Sequence, residues 1–548
     1  LYHGCPVCYP NRLQLNSFNG ETVHSLYEQT MKRLDYIKEK GYNVQVIWEH
    51  EFDAKLKNKE YKKVIDTIFP YCDPIDPRDG LYDGRCNAIK LSQDIDPSDE
   101  KREIKYIDIC SLYPFVCKYK AYPVGHPTVL TTENIDIQNI RQYEGLIKCK
   151  VLAPDDLLHP ILPLHCNNKM MFPLCKTCAE ESSSTCTHTK DERALVGTWV
   201  TLEVFKALDS GYRLLYVYEI WHFDSVSNQF FKGYVDNFLK IKQEASGYPG
   251  WCQTDSDKEK FILDYEQEDG IKLDPTLIKK NPGKRSFAKI MLNCLWGKLA
   301  QREIMTQTEY IKDPAKYFDL INNPLVLIKH VEIFDNECPF ILVSYENKLE
   351  IVQTHSTANV VVGSYVTAYA RLELYSILEK LDDRVLYFDT DSCMYIHDHT
   401  LWNPSVDNSR LGKWTDEEPD HKITKFRGLG PKNYAYQLQT INGSIESKCK
   451  VKGITLDYKT SQMVNFDTFT KCMMDRTSEI KITYDCRIRR HKDRTVTSEP
   501  QTKTFRSVYT KRVIVDEVDT VPYGYHSLRR GRKRIKAVRK LKPNTQET

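Results

Sequence analysis

Residues 386–395 read LYFDTDSCMY, and the two aspartates inside this apolar, aromatic run decide how the chain is read. Leu386, Tyr387, Phe388, Cys393, Met394 and Tyr395 suit a strand that is largely buried. Buried carboxylates are costly unless something compensates them. Asp389, Thr390, Asp391 and Ser392 also favour a tight turn, because their side chains bond nearby backbone groups. The pattern predicts strand, turn, strand, with carboxylates at the tip. A hairpin turn that merely happens to be acidic is the alternative, and the flanking sequence has to separate the two.

Immediately before the run, residues 357–381 (TANVVVGSYVTAYARLELYSILEKL) have helical patterning, and 325–352 is strand-like. Residues 284–302, KRSFAKIMLNCLWGKLAQR, place apolar side chains at helical spacing opposite Lys284, Arg285, Lys289, Lys298 and Arg302, so one face is basic and the other is core. Further upstream, 104–116 (IKYIDICSLYPFV) reads as a buried strand turning at Ser111 to Pro114, which puts Asp108 where an apolar strand ends. Residues 155–193, rich in Pro, Cys, Ser and His, read as loop, and 197–250 as helical, with LEVFKALDSGY capped by Gly211. Residues 22–41 predict a helix followed by the strand-like YNVQVIW, and the Pro and Asp cluster of 71–84 marks a boundary.

The chain has 548 residues with 41% hydrophobic content, long enough for several domains. No stretch approaches the roughly 18 uninterrupted apolar residues of a membrane span, and LYHGCPVCYP lacks the regions of a signal peptide, so a soluble protein is expected. A start at Leu1 suggests a fragment or a processed product. Eighteen cysteines, many singly placed in apolar segments, fit a reducing, intracellular compartment better than a disulfide framework. The net charge is only +3, but residues 529–542 carry nine Lys or Arg and no acid. That tail suits a solvated end, a nuclear-import signal or a phosphate-binding extension, which makes a nucleus or a viral replication site a plausible address.

Asp108, Asp389 and Asp391 offer three carboxylates at the ends of buried strands. Two magnesium ions about 4 Å apart need such oxygen ligands, with substrate phosphates completing their shells. Lys289 follows Arg285 by four residues and precedes Asn293 by four, so the three line one helix face, the electrostatic clamp that phosphoryl transfer requires. At these residues a family resemblance emerges. DICSLYP (108–114), KIMLNCLWG (289–297) and YFDTDS (387–392) resemble, in order, the three polymerase motifs of family B DNA polymerases, and PKNY (431–434) resembles the K-x-Y motif that follows them. PRDGLYDGRCNA (77–88), YPVGHP (122–127), PLCKTCAE (173–180), GTWVTLEVFKALDSGY (197–212), GLGPKNYAY (428–436) and CKVKGITL (449–456) are similar to the protein-primed branch, and within it to polymerases of Maverick/Polinton elements and related viruses.

The resemblance implies an α+β, right-hand polymerase. It divides the chain into an accessory segment (1–73), palm (74–150 and 353–450), a first terminal-protein-region-type insertion (151–258), fingers (259–302), a second insertion (303–352), thumb (451–528) and basic tail (529–548). It makes Asp108 and Asp391 the main ligands of two Mg2+ or Mn2+ ions, with Asp389 auxiliary. Ser111, Leu112, Tyr113, Arg285, Lys289, Asn293, Trp296 and Gly297 would hold the incoming nucleotide, Tyr113 excluding a 2′-hydroxyl. Thr390, Ser392, Lys432, Tyr434 and Lys452 would contact DNA. The implied partners are primer-template DNA, deoxynucleotides and a terminal protein, with the chain a monomer off the membrane. For Tyr113 the alternative is a core tyrosine, and for Lys432 a solvated surface lysine.

Cys294 and Trp296 depart from the family's Ser and Tyr, and Cys294 loses a good hydrogen-bond donor. No acidic set of a proofreading exonuclease precedes Asp108. Instead YHGCPVCYPNR and GYNVQVIWEHEF resemble the metal-bound histidine and tryptophan segments of very-short-patch-repair endonucleases, without the expected upstream acid. A remnant lacking nuclease activity, or a plain helix and strand, is expected there. Cys175, Cys178, Cys186 and His188 form C-x2-C-x7-C-x-H, compatible with structural zinc, the alternative being four unrelated groups on a loop. Rival readings are an RNA-synthesising palm enzyme and a non-catalytic nucleic-acid-binding remnant.

Overall fold

The apolar run forms the hairpin that its residues predict: Val385–Asp389 and Ser392–Asp398 pair antiparallel, with Asp389 opposite Ser392. Thr390 closes the turn at φ 57°, a left-handed conformation. The computed structural model describes residues 3–16, 20–58, 60–62, 64, 73–302, 304–334, 339–348, 358–407, 410–491 and 495–526, so the basic tail lies outside the described residues. The fold is α+β, as the resemblance implies, and divides into two compact units: Leu1–Pro74 with Gln301–Ala358, and Ile75–Ala300 with Asn359–Thr548.

In the larger unit the hairpin sits inside a nine-stranded sheet. Cys86–Ala88 pairs with one edge of it, and Arg102–Ile109 with the other, bringing Ser392 opposite Asp108. The sheet continues through Lys422–Gly430, Asn433–Gln439 and Ile445–Lys450, and the short strand Trp414–Asp416 lies along the end of the Asp108 strand. Both faces of the hairpin are covered. Val385, Phe388, Cys393 and Tyr395 meet Leu374, Ile377 and Leu378 of the helix Val360–Leu381. Leu386, Tyr387 and Met394 meet Phe466 and Phe469 of the helix Phe466–Met474 and Phe505 of the hairpin Glu479–Arg490/Val496–Arg506. Burial on both faces explains why the strands read as nearly continuous apolar runs and not as an alternation.

The helix Val360–Leu381 is held by a buried ion pair. Arg371 donates to both carboxylate oxygens of Glu203, at 2.8 and 2.7 Å, and to the carbonyls of Tyr82 and Asp83. Both side chains are almost fully buried. Replacing Glu203 by Ala strands the guanidinium without its counter-charge, so a loss of about 3–5 kcal/mol in unfolding free energy is expected in a denaturant titration. A change below about 1 kcal/mol would contradict it.

Several sequence expectations are corrected. The 197–250 stretch is not helical throughout: between the helices Thr201–Asp209 and Lys232–Glu244 runs the strand Arg213–His222, in a four-stranded sheet with Thr128–Thr131, Gly145–Leu152 and Leu195–Val200. The β-branched and aromatic residues of RLLYVYEIWH explain the preference. The turn expected over Ser111 to Pro114 is confined to Ser111, because the helix Leu112–Tyr119 starts at once, with Pro114 in its first turn, where no amide donor is needed. YNVQVIW has no strand assignment, since an extended segment needs a pairing partner. The loop reading of 155–193 gives way to the short strand pair Leu164–Cys166/Lys169–Met171 and the helices Lys176–Glu181 and Lys190–Arg193. The helix Asp255–Asp269, which the sequence pattern does not announce, begins with a capping box at Thr254 and Asp257.

The smaller unit contains the helices Val23–Glu39 and Glu49–Leu56 and a three-stranded sheet in which Phe340–Asn347 lies between Gln307–Ile311 and Val326–Phe334. Among the described residues no helix is long and apolar enough to cross a membrane.

Candidate active site

The strand Arg102–Ile109 ends at a tight junction. Asp108 is its penultimate residue, Ile109 donates its amide to the Asp391 carbonyl at 2.7 Å, and Ser111 turns the chain at φ 54° into the helix Leu112–Tyr119. On the hairpin side, the Thr390 amide donates to the Arg85 carbonyl at 2.8 Å. Gly84 lets the turn close: a Cβ there would lie 2.6 Å from Thr390 Oγ1. These bonds lock the Asp391 turn against the Asp108 strand.

Asp108 and Asp391 both line a cavity of about 720 Å3, together with Ser111, Leu112, Tyr113, Arg285, Lys289, Asn293 and Trp296. The helix Pro282–Leu299 supplies the last four, at the spacing that puts them on one face. It is less buried than its pattern predicts: Ala288 and Leu292 are buried, whereas Phe287 and Ile290 are exposed. The Tyr113 and Trp296 rings stack, with centroids 4.9 Å apart and planes at 20°, so an aromatic wall stands beside the carboxylates. Burial raises the Tyr113 phenol to about 12.

Charge in the cavity is divided. Burial, and then the Asp391 and Glu417 carboxylates, push Asp108 up to about 7. Asp391 is also raised, chiefly by burial. Among the described residues no side chain donates a hydrogen bond to either carboxylate. Two hard oxygen donors that line one cavity and accept no side-chain hydrogen bond fit divalent magnesium or manganese, which prefer oxygen ligands.

Asp389 does not line this cavity. Lys432 Nζ lies 2.9 and 2.8 Å from its two oxygens, from a turn where Lys432 takes φ 60°. Burial depresses the Lys432 ammonium, but the hydrogen bond and charge of Asp389 outweigh it and raise it. Thr390 Oγ1 is 3.3 Å from Asp389, and Ser392 Oγ donates to the Asp389 carbonyl at 3.3 Å, so both serve the turn. Tyr434, 5% exposed, is a core tyrosine beside Tyr106, Tyr387 and Tyr436. Lys452 donates its amide to Asn433 Oδ1 at 2.7 Å. Gly297 lies on the same helix but outside the cavity lining.

Two charged lining residues escape the sequence reading. Lys242 of the helix Lys232–Glu244, from the stretch assigned to the first insertion, is 9% exposed and donates to Ser111 Oγ at 3.1 Å; burial depresses its ammonium. Its signal is present in the pattern: with Val235 and Leu239 it falls on the buried stripe of its helix. Glu417 sits in the run DEEPD, which conceals its role. In that run Asp416 pairs with Lys105 at 3.0 Å and Glu418 accepts from Tyr436 and Lys448, leaving Glu417 to the cavity.

Away from this site, Cys175, Cys178, Cys186 and His188 come together, their ligand atoms all within 4.8 Å of one another. His188 Nδ1 is 3.5, 3.2 and 3.8 Å from the three sulfurs, and the cysteines are buried. The soft thiolate and imidazole set, closed at four ligands, fits structural zinc.

The family model "DNA polymerase type B, organellar and viral" matches residues 77–253. A probable DNA polymerase of Neurospora intermedia is 23% identical over 366 residues, covering 64% of this chain and 30% of its own length. A DNA polymerase of Streptococcus phage Cp-1 is 26% identical over 191 residues, covering 35% and 28%. The chain thus spans about a third of the length of these curated relatives. Phi29 DNA polymerase in complex with primer-template DNA and incoming nucleotide aligns with a TM-score of 0.47 at 15% identity over 89% of this chain and 72% of that one. The same polymerase complexed with single-stranded DNA aligns with a TM-score of 0.47 at 14% identity, over 90% and 73%. By sequence, the chain is similar to family B DNA polymerases of the organellar and viral type.

Proposed function

We propose that this chain is a right-hand, DNA-directed DNA polymerase that adds deoxynucleotides to a primer 3′-hydroxyl. The observation that carries the proposal is the single cavity in which two sheet carboxylates, Asp108 and Asp391, face the helix-borne cations Arg285 and Lys289. In this reading the primer 3′-hydroxyl gives its proton to water as its oxygen bonds to the α-phosphorus, the α–β bridging P–O bond breaks, and pyrophosphate leaves. Asp108 and Asp391 hold two magnesium or manganese ions, whose chemistry when bound is to lower the pKa of the 3′-hydroxyl and to offset charge on the leaving group. Arg285, Lys289 and Lys242 orient the triphosphate, and Trp296 with Asn293 supports the nascent base pair. Lys432, tied to Asp389, steadies the hairpin tip and faces the primer phosphates; the buried Tyr434 supports that turn from within the core.

The nine-stranded sheet is the palm, the helices Lys232–Glu244 and Pro282–Leu299 the fingers, and the elements after residue 451 the thumb. Tyr234 OH, 3.1 Å from the Met291 carbonyl, supports pairing those two helices. The sequence motifs extend the reading to a terminal protein as primer, to two insertions of the protein-primed branch, and to a mobile element or virus as the replicating unit. Cys175, Cys178, Cys186 and His188 hold structural zinc in this reading.

Primer extension on a defined template with deoxynucleotides and Mg2+ tests the proposal, and template-independent or absent synthesis would overturn it. Tyr113 separates it from RNA synthesis. The wild-type protein is expected to prefer deoxynucleotides, and Tyr113→Val, by opening space beside the sugar, to lower the deoxy-over-ribo preference in kcat/KM by about 10- to 100-fold. Equal use of both nucleotides by the wild type would favour the RNA-synthesising alternative.

A further inference from the structure

The smaller unit holds a cluster of soft ligands that the polymerase reading does not use. Cys5 and Cys8 stand in the sequence C-P-V-C, and His50 is the second residue of the helix Glu49–Leu56. His50 Nδ1 lies 3.6 Å from Cys5 Sγ and 3.5 Å from Cys8 Sγ, and the three ligand atoms all lie within 4.8 Å of one another.

The loop is built to present the sulfurs. The Tyr9 amide donates to the Cys5 carbonyl at 2.9 Å, closing the turn that carries both sulfurs. Arg12 donates to the Gly4 carbonyl at 2.7 Å and to the Val23 carbonyl at 3.2 Å, fastening the loop to the start of the helix Val23–Glu39. Gly4 takes φ 57°, and a Cβ there would come within 2.1 Å of the Val23 carbonyl oxygen, so the approach requires glycine. Cys5 is buried and Cys8 exposed, so the cluster has a closed side and an open one.

We infer that Cys5, Cys8 and His50 form a zinc(II) site with three protein ligands, its fourth position on the open Cys8 side left to water. Thiolate and imidazole ligands select zinc over the hard cations of the polymerase cavity. The metal would join the N-terminal loop to a helix 45 residues further along the chain, and so clip a unit with a small core. Zinc binding at these three residues is independent of the polymerase reading.

The test is zinc stoichiometry of the full chain, purified in reductant, loaded with zinc alone and desalted. In a Cys175→Ser/Cys178→Ser background, about one zinc per chain is expected, falling to near zero with His50→Ala and returning with His50→Cys. Cobalt(II) in place of zinc is expected to show thiolate-to-metal charge transfer in that background, stronger in His50→Cys because a third sulfur joins. In the otherwise unsubstituted protein, His50→Ala is expected to remove one equivalent, which guards against a background that fails to fold. Zinc content unchanged by His50→Ala, or a zinc-free background protein with Cys5 and Cys8 joined as a disulfide, would overturn the inference.

Discussion

Asp391→Asn is expected to abolish primer extension, by at least about 10³-fold, while leaving primer-template binding within about twofold. The substitution keeps the size and polarity of the side chain and the backbone bond from Ile109 to the Asp391 carbonyl, so the hairpin remains. What it removes is one of the three carboxylates, Asp108, Asp391 and Glu417, that line the cavity. Asp108→Asn is expected to do the same from the other strand. DNA affinity survives because it rests on phosphate contacts spread over many cations and falls with salt instead. Asp389→Asn is the informative contrast. Its carboxylate is already neutralised by Lys432 at 2.8 and 2.9 Å and does not line the cavity, so the loss should be nearer tenfold, through a loosened turn. A gel-based extension assay with all three variants, beside a filter-binding titration, measures both quantities. Extension by Asp391→Asn at the wild-type rate, or a deeper loss in Asp389→Asn, would reverse the roles of the two acids.

The placing of these acids is legible in the sequence, and the reason is physical. Asp389, Asp391 and Asp108 stand at strand ends, where a period of two and a tight turn leave little freedom in where a carboxylate goes. Arg285, Lys289 and Asn293 are legible for the equivalent reason on a helix, whose four-residue spacing fixes a face. Long-range choices are not. The strand Arg213–His222 reads as helix because its apolar run has no clear alternation; its β-branched and aromatic residues suit a strand, and pairing with Gly145–Leu152 and Thr128–Thr131 fixes it. Glu417 cannot be told from Asp416 and Glu418 without knowing that Lys105, Tyr436 and Lys448 claim its neighbours. Tyr434 reads as a DNA-contacting group within its motif, yet the strand Asn433–Gln439 turns it into an aromatic core. The resemblance pairs the segments that carry Cys5, Cys8 and His50, but which of their side chains close on one another is settled only by the fold, since nothing local links a loop to a helix 45 residues away.

Lys289→Ala is expected to lower kcat/KM for deoxynucleotides by about 10²- to 10³-fold, with primer-template affinity little changed, because an ammonium on the triphosphate acts most strongly as charge develops on the leaving group. Lys242 should matter at the same step by a different route. The residue is 9% exposed, and its ammonium is depressed by burial and donates to Ser111 Oγ at 3.1 Å, so without nucleotide it is a costly buried cation. Lys242→Met keeps the length of the side chain and its packing along the stripe with Val235 and Leu239, and so should preserve the fold while costing about 10- to 100-fold in kcat/KM. Because both cations address one triphosphate, the double variant should lose less than the product of the two single losses. Steady-state kinetics over a range of deoxynucleotide concentrations, with a thermal melt of each variant, would decide. A Lys242→Met protein that melts normally and polymerises at the wild-type rate would make Lys242 a buried structural lysine, and would leave the cation clamp to the helix Pro282–Leu299 alone.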